Sequence, residues 1–123
     1  METSLRLLVV DDDEEHLELV RRLLSAYKFE VRTTSSPIGV SNLVREFLPN
    51  VILIDVNQPA LSGDRILTLV RRNAKSMAKL VLFSSADPER LRQLAKSVEA
   101  DGWIPKGLAP RELADQLRRV CAT

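Results

Sequence analysis

Short apolar runs alternate along the chain with longer segments in which apolar residues recur every three or four positions. Three runs are continuously apolar: residues 7–10, 51–54 and 80–83. Such runs are typical of strands buried on both faces, and their alternation with helical segments favours βαβ units in a parallel sheet. Two further strands are predicted at residues 29–33, where apolar and polar residues alternate, and at residues 103–104, where the run is very short. Both patterns indicate edge strands.

Five amphipathic segments predict five helices between and after these strands. Their predicted starts, in chain order, are after Asp12, at Ser36-Pro37, after Gly63, at Asp87-Pro88 and near Pro110. A capping residue followed by proline at the first helical position is a typical helix start. The third helix is expected to bury Ile66, Leu67 and Val70. Gly102 is expected to close the fourth, because glycine is common just beyond a helix end.

This order of elements predicts an α/β fold of the flavodoxin-like type. We expect a three-layer sandwich in which five parallel strands, in the order 2-1-3-4-5, are covered by five helices. Residues 1–123 would form one domain. Open sheets of this kind bind ligands at the carboxyl ends of their strands, at the switch point between strands one and three.

Composition and charge narrow the classes of protein and partner. The chain has 123 residues, is 45% hydrophobic and carries a net charge of +1, so no basic field favours direct nucleic-acid binding or a membrane surface. Its single cysteine, Cys121, allows no internal disulfide and favours a reducing compartment. We found no signal-peptide pattern and no apolar run of membrane-spanning length. The sequence therefore predicts a cytoplasmic protein.

Polar residues stand where four of the predicted strands stop. They are Asp11 and Asp12 after the first strand, Asp55 after the third, Ser84 and Ser85 after the fourth, and Lys106 after the fifth. In a parallel sheet these ends share one edge, which then carries three carboxylates, a hydroxyl and an ammonium. Like charges held so close raise one another's pKa, and a bound Mg²⁺ would relieve this. The set suits a divalent cation and a phosphoryl group.

Each of these residues also has an ordinary structural interpretation. Asp11, Asp12 and Asp13 could cap the first helix, and Asp13 is expected to do so. A serine after a strand is usually a turn residue, and a lysine is usually solvated. Asp55 weakens these interpretations, because it lies on another strand that should end beside the first. His16 is expected to be a surface residue of the first helix.

The chemistry available to this edge is phosphoryl transfer to a carboxylate. An aspartate can attack phosphorus and form an acyl phosphate. The transition state chiefly requires neutralisation of charge on the equatorial oxygens. Mg²⁺ could neutralise one oxygen, the Lys106 ammonium a second, and the Ser85 hydroxyl could donate to a third.

Over essentially its whole length the chain resembles a receiver domain of a two-component response regulator, a CheY-like domain. The matching motifs are Val9-Val10-Asp11-Asp12, Asp55-Val56-Asn57-Gln58-Pro59 followed by Gly63, Ser84-Ser85-Ala86, and Trp103-Ile104-Pro105-Lys106. Each motif is short, but their combined order and spacing are specific.

The resemblance implies a role for each matching residue. Asp55 would be the phosphoacceptor. The metal ligands would be Asp12 directly, Asp11 largely through water and Asn57 through its backbone carbonyl. Ser85, or alternatively Ser84, would be the switch hydroxyl, Trp103 the switch aromatic, and Lys106 the lysine that the family has at this site. Trp103 could instead simply pack on an edge strand. The implied cofactor is Mg²⁺, and the only catalysis would be self-phosphorylation and self-dephosphorylation at Asp55.

The resemblance also implies partners. The phosphoryl donor would be a bacterial sensor histidine kinase or a phosphotransfer protein. A downstream effector or output domain, or a second copy in a homodimer, would be controlled through the fourth helix, fifth strand and fifth helix.

The chain departs from the family's pattern at two positions. Gly107 follows Lys106, where most receivers have a proline with a cis bond, and a cis bond before a non-proline residue costs about 2.5–4 kcal/mol. Residues 106–113 are similar to receivers that precede a LuxR-type helix-turn-helix domain. Ala109 stands where a hydroxyl would normally cap the fifth helix, and loss of a cap typically costs about 1 kcal/mol.

Three other functions remain open from the sequence. A receiver-like interaction module independent of phosphorylation would have no need of clustered carboxylates. A small phosphohydrolase of the haloacid-dehalogenase type would have a second aspartate where Asn57 stands. A flavin-binding flavodoxin would have a loop rich in hydroxyls and glycine after the first strand, where this chain has Asp-Asp-Asp-Glu-Glu.

Overall fold

The structure is a computed structural model that describes residues 4–36, 39–56, 68 and 77–122. The strands are β1 (Leu5–Val10), β2 (Phe29–Thr34), β3 (Val51–Asp55), β4 (Lys79–Ser84) and β5 (Gly102–Pro105). The helices are α1 (Glu14–Ser25), α2 (Val40–Phe47), α3 (Pro88–Ser97) and α4 (Pro110–Cys121). The predicted helix with Ile66, Leu67 and Val70 lies outside the described residues, so the predicted fourth and fifth helices are α3 and α4 here.

The five strands form one parallel sheet in the order β2-β1-β3-β4-β5, as predicted. β3 is buried along its whole length, whereas β2 and β5 are only partly buried, which is consistent with their positions at the edges. The sheet order and the helices on its two faces confirm the flavodoxin-like fold class. Among the described residues, no helix has the length and apolar character needed to cross a membrane.

Each face of the sheet packs against its own pair of helices. The face that includes Leu7, Val9, Leu53, Phe83 and Ile104 contacts α1 and α4 in one apolar cluster. The opposite face, which includes Leu8, Ile52 and Leu82, contacts α2 and α3 in a second cluster. Because side chains alternate along a strand, residues two apart share a face. This alternation decides which side chains meet at the carboxyl edge.

The prediction that Gly102 closes the fourth helix is wrong. α3 ends at Ser97, the chain turns through Glu99 at a φ of 57°, and Gly102 is the first residue of β5. A Cβ added at Gly102 would lie 3.2 Å from Cγ2 of Val120. The glycine therefore permits the close approach of α4 to the edge strand, which a helix-end signal in sequence does not distinguish.

The predicted helix starts have mixed outcomes. Asp13 caps α1 as expected, because its carboxylate accepts from the backbone N–H groups of Glu15 and His16. α3 begins at Pro88 as predicted, although the Asp87 side chain makes no cap hydrogen bond. Ala109 precedes α4 without a side-chain cap, also as expected. The α-helix α2 begins at Val40, and the preceding Gly39 is already in a helical conformation; the predicted start at Pro37 lies outside the described residues.

Candidate functional site

Side-chain alternation brings Asp11, Asp55 and Lys106 to the same face of the sheet at its carboxyl edge. Asp11 lies two residues beyond Val9, and Lys106 two residues beyond Ile104; Asp55 is itself the last residue of β3. Backbone hydrogen bonds extend the strand pairing past the strand ends, from Asp11 N to the carbonyl of Thr34 at 3.1 Å and from Lys106 N to that of Ser84 at 2.8 Å. The residues after the strands are therefore held by the sheet.

An ion pair joins Lys106 to Asp55, the central member of this group. Nζ of Lys106 donates to Oδ2 of Asp55 at a distance of 2.6 Å. Asp55 is only 4% exposed and Asp11 only 1%, so both carboxylates are largely removed from water. One ammonium and two buried carboxylates thus meet where the sequence predicted a phosphoryl and cation site.

The carboxylate of Asp11 is held by the start of α1. Its Oδ1 accepts from the backbone N–H of Asp13 at 3.0 Å, and its Oδ2 forms a short hydrogen bond with Nδ1 of His16. Asp13 in turn accepts from the backbone N–H of His16 at 3.2 Å. The cap that starts the helix therefore also sets the position of the imidazole above the strand end.

The expectation that His16 is a surface residue is wrong. Its side chain is 26% exposed, hydrogen-bonds to Asp11 and stacks on Phe83, with ring centroids 6.0 Å apart and planes 5° from parallel. A signal for this position was present in the sequence. His16 lies one helical turn before Val20 and two before Leu24, both buried, so it continues the stripe that faces the sheet.

Two buried carboxylates share this edge with a single ammonium, so the edge carries excess negative charge when both are ionised. Removal from water raises the pKa of Asp11, and the neighbouring Asp55 raises it further, while hydrogen bonds from His16 and from the backbone of Asp13 partly oppose the rise. Burial is the largest of these effects. The ionised site is therefore electrostatically strained until a cation approaches.

We expect Asp11→Asn to stabilise the metal-free protein at neutral pH, because the amide does not have to ionise in the buried site. A raised pKa means that the folded state resists ionisation of Asp11. Its contribution to stability is then present at low pH and is lost as the pH rises from the ordinary value of 3.8 through the raised one. Urea unfolding in the presence of a chelator measures the effect. Asp12→Asn, at an exposed position, is the control. A less stable Asp11→Asn protein would contradict the explanation.

The other predicted site residues occupy different environments. Asp12 is exposed, and the described cluster of converging metal-ligand atoms consists of Asp11, His16 and Asp55; direct metal binding by Asp12 stays a prediction. Asn57 lies outside the described residues. Ser84 is buried and its Oγ accepts from the backbone N–H of Ala86 at 3.0 Å, whereas Ser85 is exposed.

Trp103 lies on β5, next to the loop that carries Lys106. Its side chain is partly buried and packs against the apolar cluster beneath α2 and α3. The peptide bond between Lys106 and Gly107 is trans, and Gly107 adopts a φ of 99°. The ammonium of Lys106 still reaches Asp55, so glycine at this position does not remove the lysine from the site.

The donors present fit a divalent cation. Ligand atoms of Asp11, His16 and Asp55 all lie within 4.8 Å of one another. Two are carboxylate oxygens in a buried position with excess negative charge, which is the environment that hard divalent cations such as Mg²⁺ favour. The described residues can therefore hold a cation next to the oxygen that pairs with Lys106.

Known proteins with related sequences include response regulators. The chain is 30% identical over 117 residues to response regulator MprA of Mycobacterium bovis, which covers 95% of this chain and 50% of MprA. It is 28% identical over 116 residues to protein RcaC of Microchaete diplosiphon, covering 93% of this chain and 18% of RcaC. The chain thus spans half or less of the length of these curated relatives.

Solved structures confirm the fold. Chemotaxis protein CheY4 of Vibrio cholerae superposes with a TM-score of 0.81 at 24% identity, covering 96% of this chain and 99% of CheY4. A two-component response regulator of the LuxR family from Aurantimonas sp. SI85-9A1 superposes with a TM-score of 0.82 at 20% identity, covering 98% and 86%. Residues 7–118 match the family described as the response regulator receiver domain. The chain belongs to the response regulator receiver domain family of two-component systems.

Proposed function

We propose that this chain is the phosphoacceptor domain of a two-component signalling system, and that Asp55 is phosphorylated by a histidine kinase in a reaction that requires Mg²⁺. The observation that carries the proposal is the contact of 2.6 Å between the Lys106 ammonium and the Asp55 carboxylate, beside a second buried carboxylate. A purely structural ion pair would not need the buried Asp11 next to it, because that residue adds like charge.

In the proposed reaction an oxygen of Asp55 attacks the phosphorus atom of the donor. The bond between phosphorus and the donor's imidazole nitrogen breaks, the electron pair returns to that nitrogen, and an acyl phosphate forms on Asp55. Lys106 remains close to the transferred group and neutralises part of its charge. A bound Mg²⁺ would be held by Asp11 and Asp55, with Asp12 and Asn57 as further proposed ligands, and would neutralise charge on the phosphoryl oxygens.

Hydrolysis of the acyl phosphate by water would return Asp55 to its free state. Under this proposal the chain's catalysis is limited to its own phosphorylation and dephosphorylation. The surface formed by α3, β5 and α4 would carry the signal to a downstream effector, an output domain or a second copy of the chain. We place these events in the bacterial cytoplasm, where the single free thiol of Cys121 is consistent with a reducing compartment.

Intact-mass measurement after incubation with acetyl phosphate and Mg²⁺ tests the proposal. We expect the mass to increase by one phosphoryl group, the increase to require the cation, and the adduct to be removed by hydroxylamine, which cleaves acyl phosphates. A mass increase that persists in excess chelator, or an unchanged mass with both reagents present, would contradict it. The latter result would favour an interaction module that works without phosphorylation.

The proposed switch predicts a fluorescence change at Trp103, the only tryptophan of the chain. A phosphoryl group on Asp55 would attract the exposed Ser85 hydroxyl and move the loop after β4, which biases the packing of the neighbouring aromatic. We expect beryllofluoride with Mg²⁺ to change Trp103 emission and Ser85→Ala to reduce that change by more than half. The control is Ser97→Ala, which removes an exposed hydroxyl on α3 instead of the one in the loop after β4. An unchanged spectrum with bound beryllofluoride would refute the switch.

A further inference from the structure

We propose that His16 is a direct ligand of the cation site, so that this site binds first-row transition metal ions such as Zn²⁺ through one imidazole and two carboxylates. The inference rests on the proposed function in placing a divalent cation between Asp11 and Asp55. It goes further in assigning a nitrogen ligand and, with it, the class of metal. The phosphoryl-transfer reaction itself is not needed for it.

The ligand atoms of the three residues already converge. One ligand atom each from Asp11, His16 and Asp55 lies within 4.8 Å of the other two. Donors that share an ion at bond lengths near 2.1 Å are roughly 3–4 Å apart. The wider separations, which lie within 4.8 Å, would have to contract, whereas Nδ1 of His16 and Oδ2 of Asp11, now in direct contact, would have to move apart. The two carboxylates are buried, and they supply the negative charge that compensates a divalent ion.

The imidazole is held in place from two sides. The backbone N–H of His16 donates to the capping carboxylate of Asp13 at 3.2 Å, which orients the first turn of α1. The ring stacks on Phe83 with planes 5° from parallel, and Nδ1 points to Oδ2 of Asp11. A ligand held in this way loses little conformational freedom when it binds an ion.

In the metal-free protein a hydrogen bond joins Nδ1 of His16 to Oδ2 of Asp11. The Lys106 ammonium donates to Asp55 and the His16 imidazole hydrogen-bonds to Asp11, so each carboxylate has its own cationic or donor partner. A metal ion bound by Nδ1 would take the place of the hydrogen bond between His16 and Asp11. The same two atoms that now contact each other would then both contact the ion.

The nitrogen ligand changes the preferred metal. Mg²⁺ favours oxygen ligands and retains several waters, whereas imidazole suits Zn²⁺, Cu²⁺, Ni²⁺ and Fe²⁺, and two carboxylates with one histidine are compatible with borderline metals. Mg²⁺ could still bind through the carboxylates alone. Removal of His16 should therefore weaken transition-metal binding selectively and leave Mg²⁺ binding nearly unchanged.

Calorimetric titration of the untagged, metal-free chain with Zn²⁺ and, separately, with Mg²⁺ tests this inference. We expect His16→Ala to lower Zn²⁺ affinity by roughly tenfold to a hundredfold and to change Mg²⁺ affinity by less than about twofold. Glu15→Ala, at an exposed position in the same turn, should leave both affinities unchanged. Equal Zn²⁺ affinity in wild type and His16→Ala would overturn the inference.

A measurement on the wild-type protein tests the same inference without depending on whether the His16→Ala variant folds. His16 is the only histidine in the chain, so nitrogen NMR of its ring reports this one imidazole. We expect the Nδ1 resonance to shift when Zn²⁺ saturates the site; an unshifted resonance at saturation would overturn the inference and leave the proposed function standing.

Failure of the wild type to bind either Mg²⁺ or Zn²⁺ would overturn both the inference and the proposed function. Failure of phosphorylation alone, with Zn²⁺ binding that depends on His16, would overturn only the proposed function.

Discussion

Asp55→Asn is expected to abolish the gain of a phosphoryl group from acetyl phosphate and Mg²⁺. The amide is a far weaker nucleophile than the carboxylate and cannot form an acyl phosphate, while its size is almost the same. The variant should remain folded, because the change removes one of two buried like charges at the edge of the sheet. Intact mass spectrometry of both proteins under identical conditions measures the effect.

The matched control is Asp115→Asn, which makes the same chemical change at an exposed position on α4. This variant should be phosphorylated to the wild-type extent. Labelling of Asp55→Asn at the wild-type level would show that another residue accepts the phosphoryl group. Circular dichroism would verify that both variants keep the helical content of the parent.

Lys106→Met is expected to slow phosphorylation of Asp55 by roughly a hundredfold to a thousandfold, the usual effect of losing one positioned electrostatic partner of a transition state. Nζ of Lys106 lies 2.6 Å from Oδ2 of Asp55, and methionine retains most of the side-chain length without the charge. The rate of mass gain at a fixed acetyl phosphate concentration measures the loss. Metal affinity should change little, because the lysine is not a ligand.

Lys96→Met serves as its control, since Lys96 is exposed on α3 and away from the carboxyl edge. It should phosphorylate at the parent rate. If Lys106→Met also did so, the contact between Lys106 and Asp55 would be a structural ion pair and the proposed role of the ammonium would fail. The Lys106 variant also removes the ammonium that pairs with the buried Asp55 carboxylate, so rates are compared below its unfolding transition.

The fold was accessible from the sequence because its signals are local. The continuous apolar runs of β1, β3 and β4 and the alternating pattern of β2 identify inner and edge strands without knowledge of the partners. Where one residue type serves two purposes, the local signal was insufficient. A glycine at position 102 is typical of a helix end, but its actual role is to leave room for Val120, which lies on an element that follows it in the chain.

The site illustrates the same limit. Placement of Asp11, Asp55 and Lys106 at one edge follows from strand ends and side-chain alternation, which are properties of the sequence. The inclusion of His16 depends on how far α1 leans over the ends of β1 and β4, and on the ring of Phe83 against which the imidazole stacks. A helical stripe indicates that His16 faces the sheet, but not which strand-end residue it meets.

The sequence by itself determined that the sheet is parallel, the order of its strands and the placement of Asp11, Asp55 and Lys106 at its carboxyl edge, because each depends on short-range patterns of burial and polarity. Only the tertiary structure decided how these residues are paired. The contact of Lys106 with Asp55 joins elements distant in the chain, whereas the contact of His16 with Asp11 and the burial that raises the pKa of Asp11 depend on how α1 docks on the sheet. Electrostatic interactions depend steeply on distance and burial, and both are set only when the helices dock on the sheet.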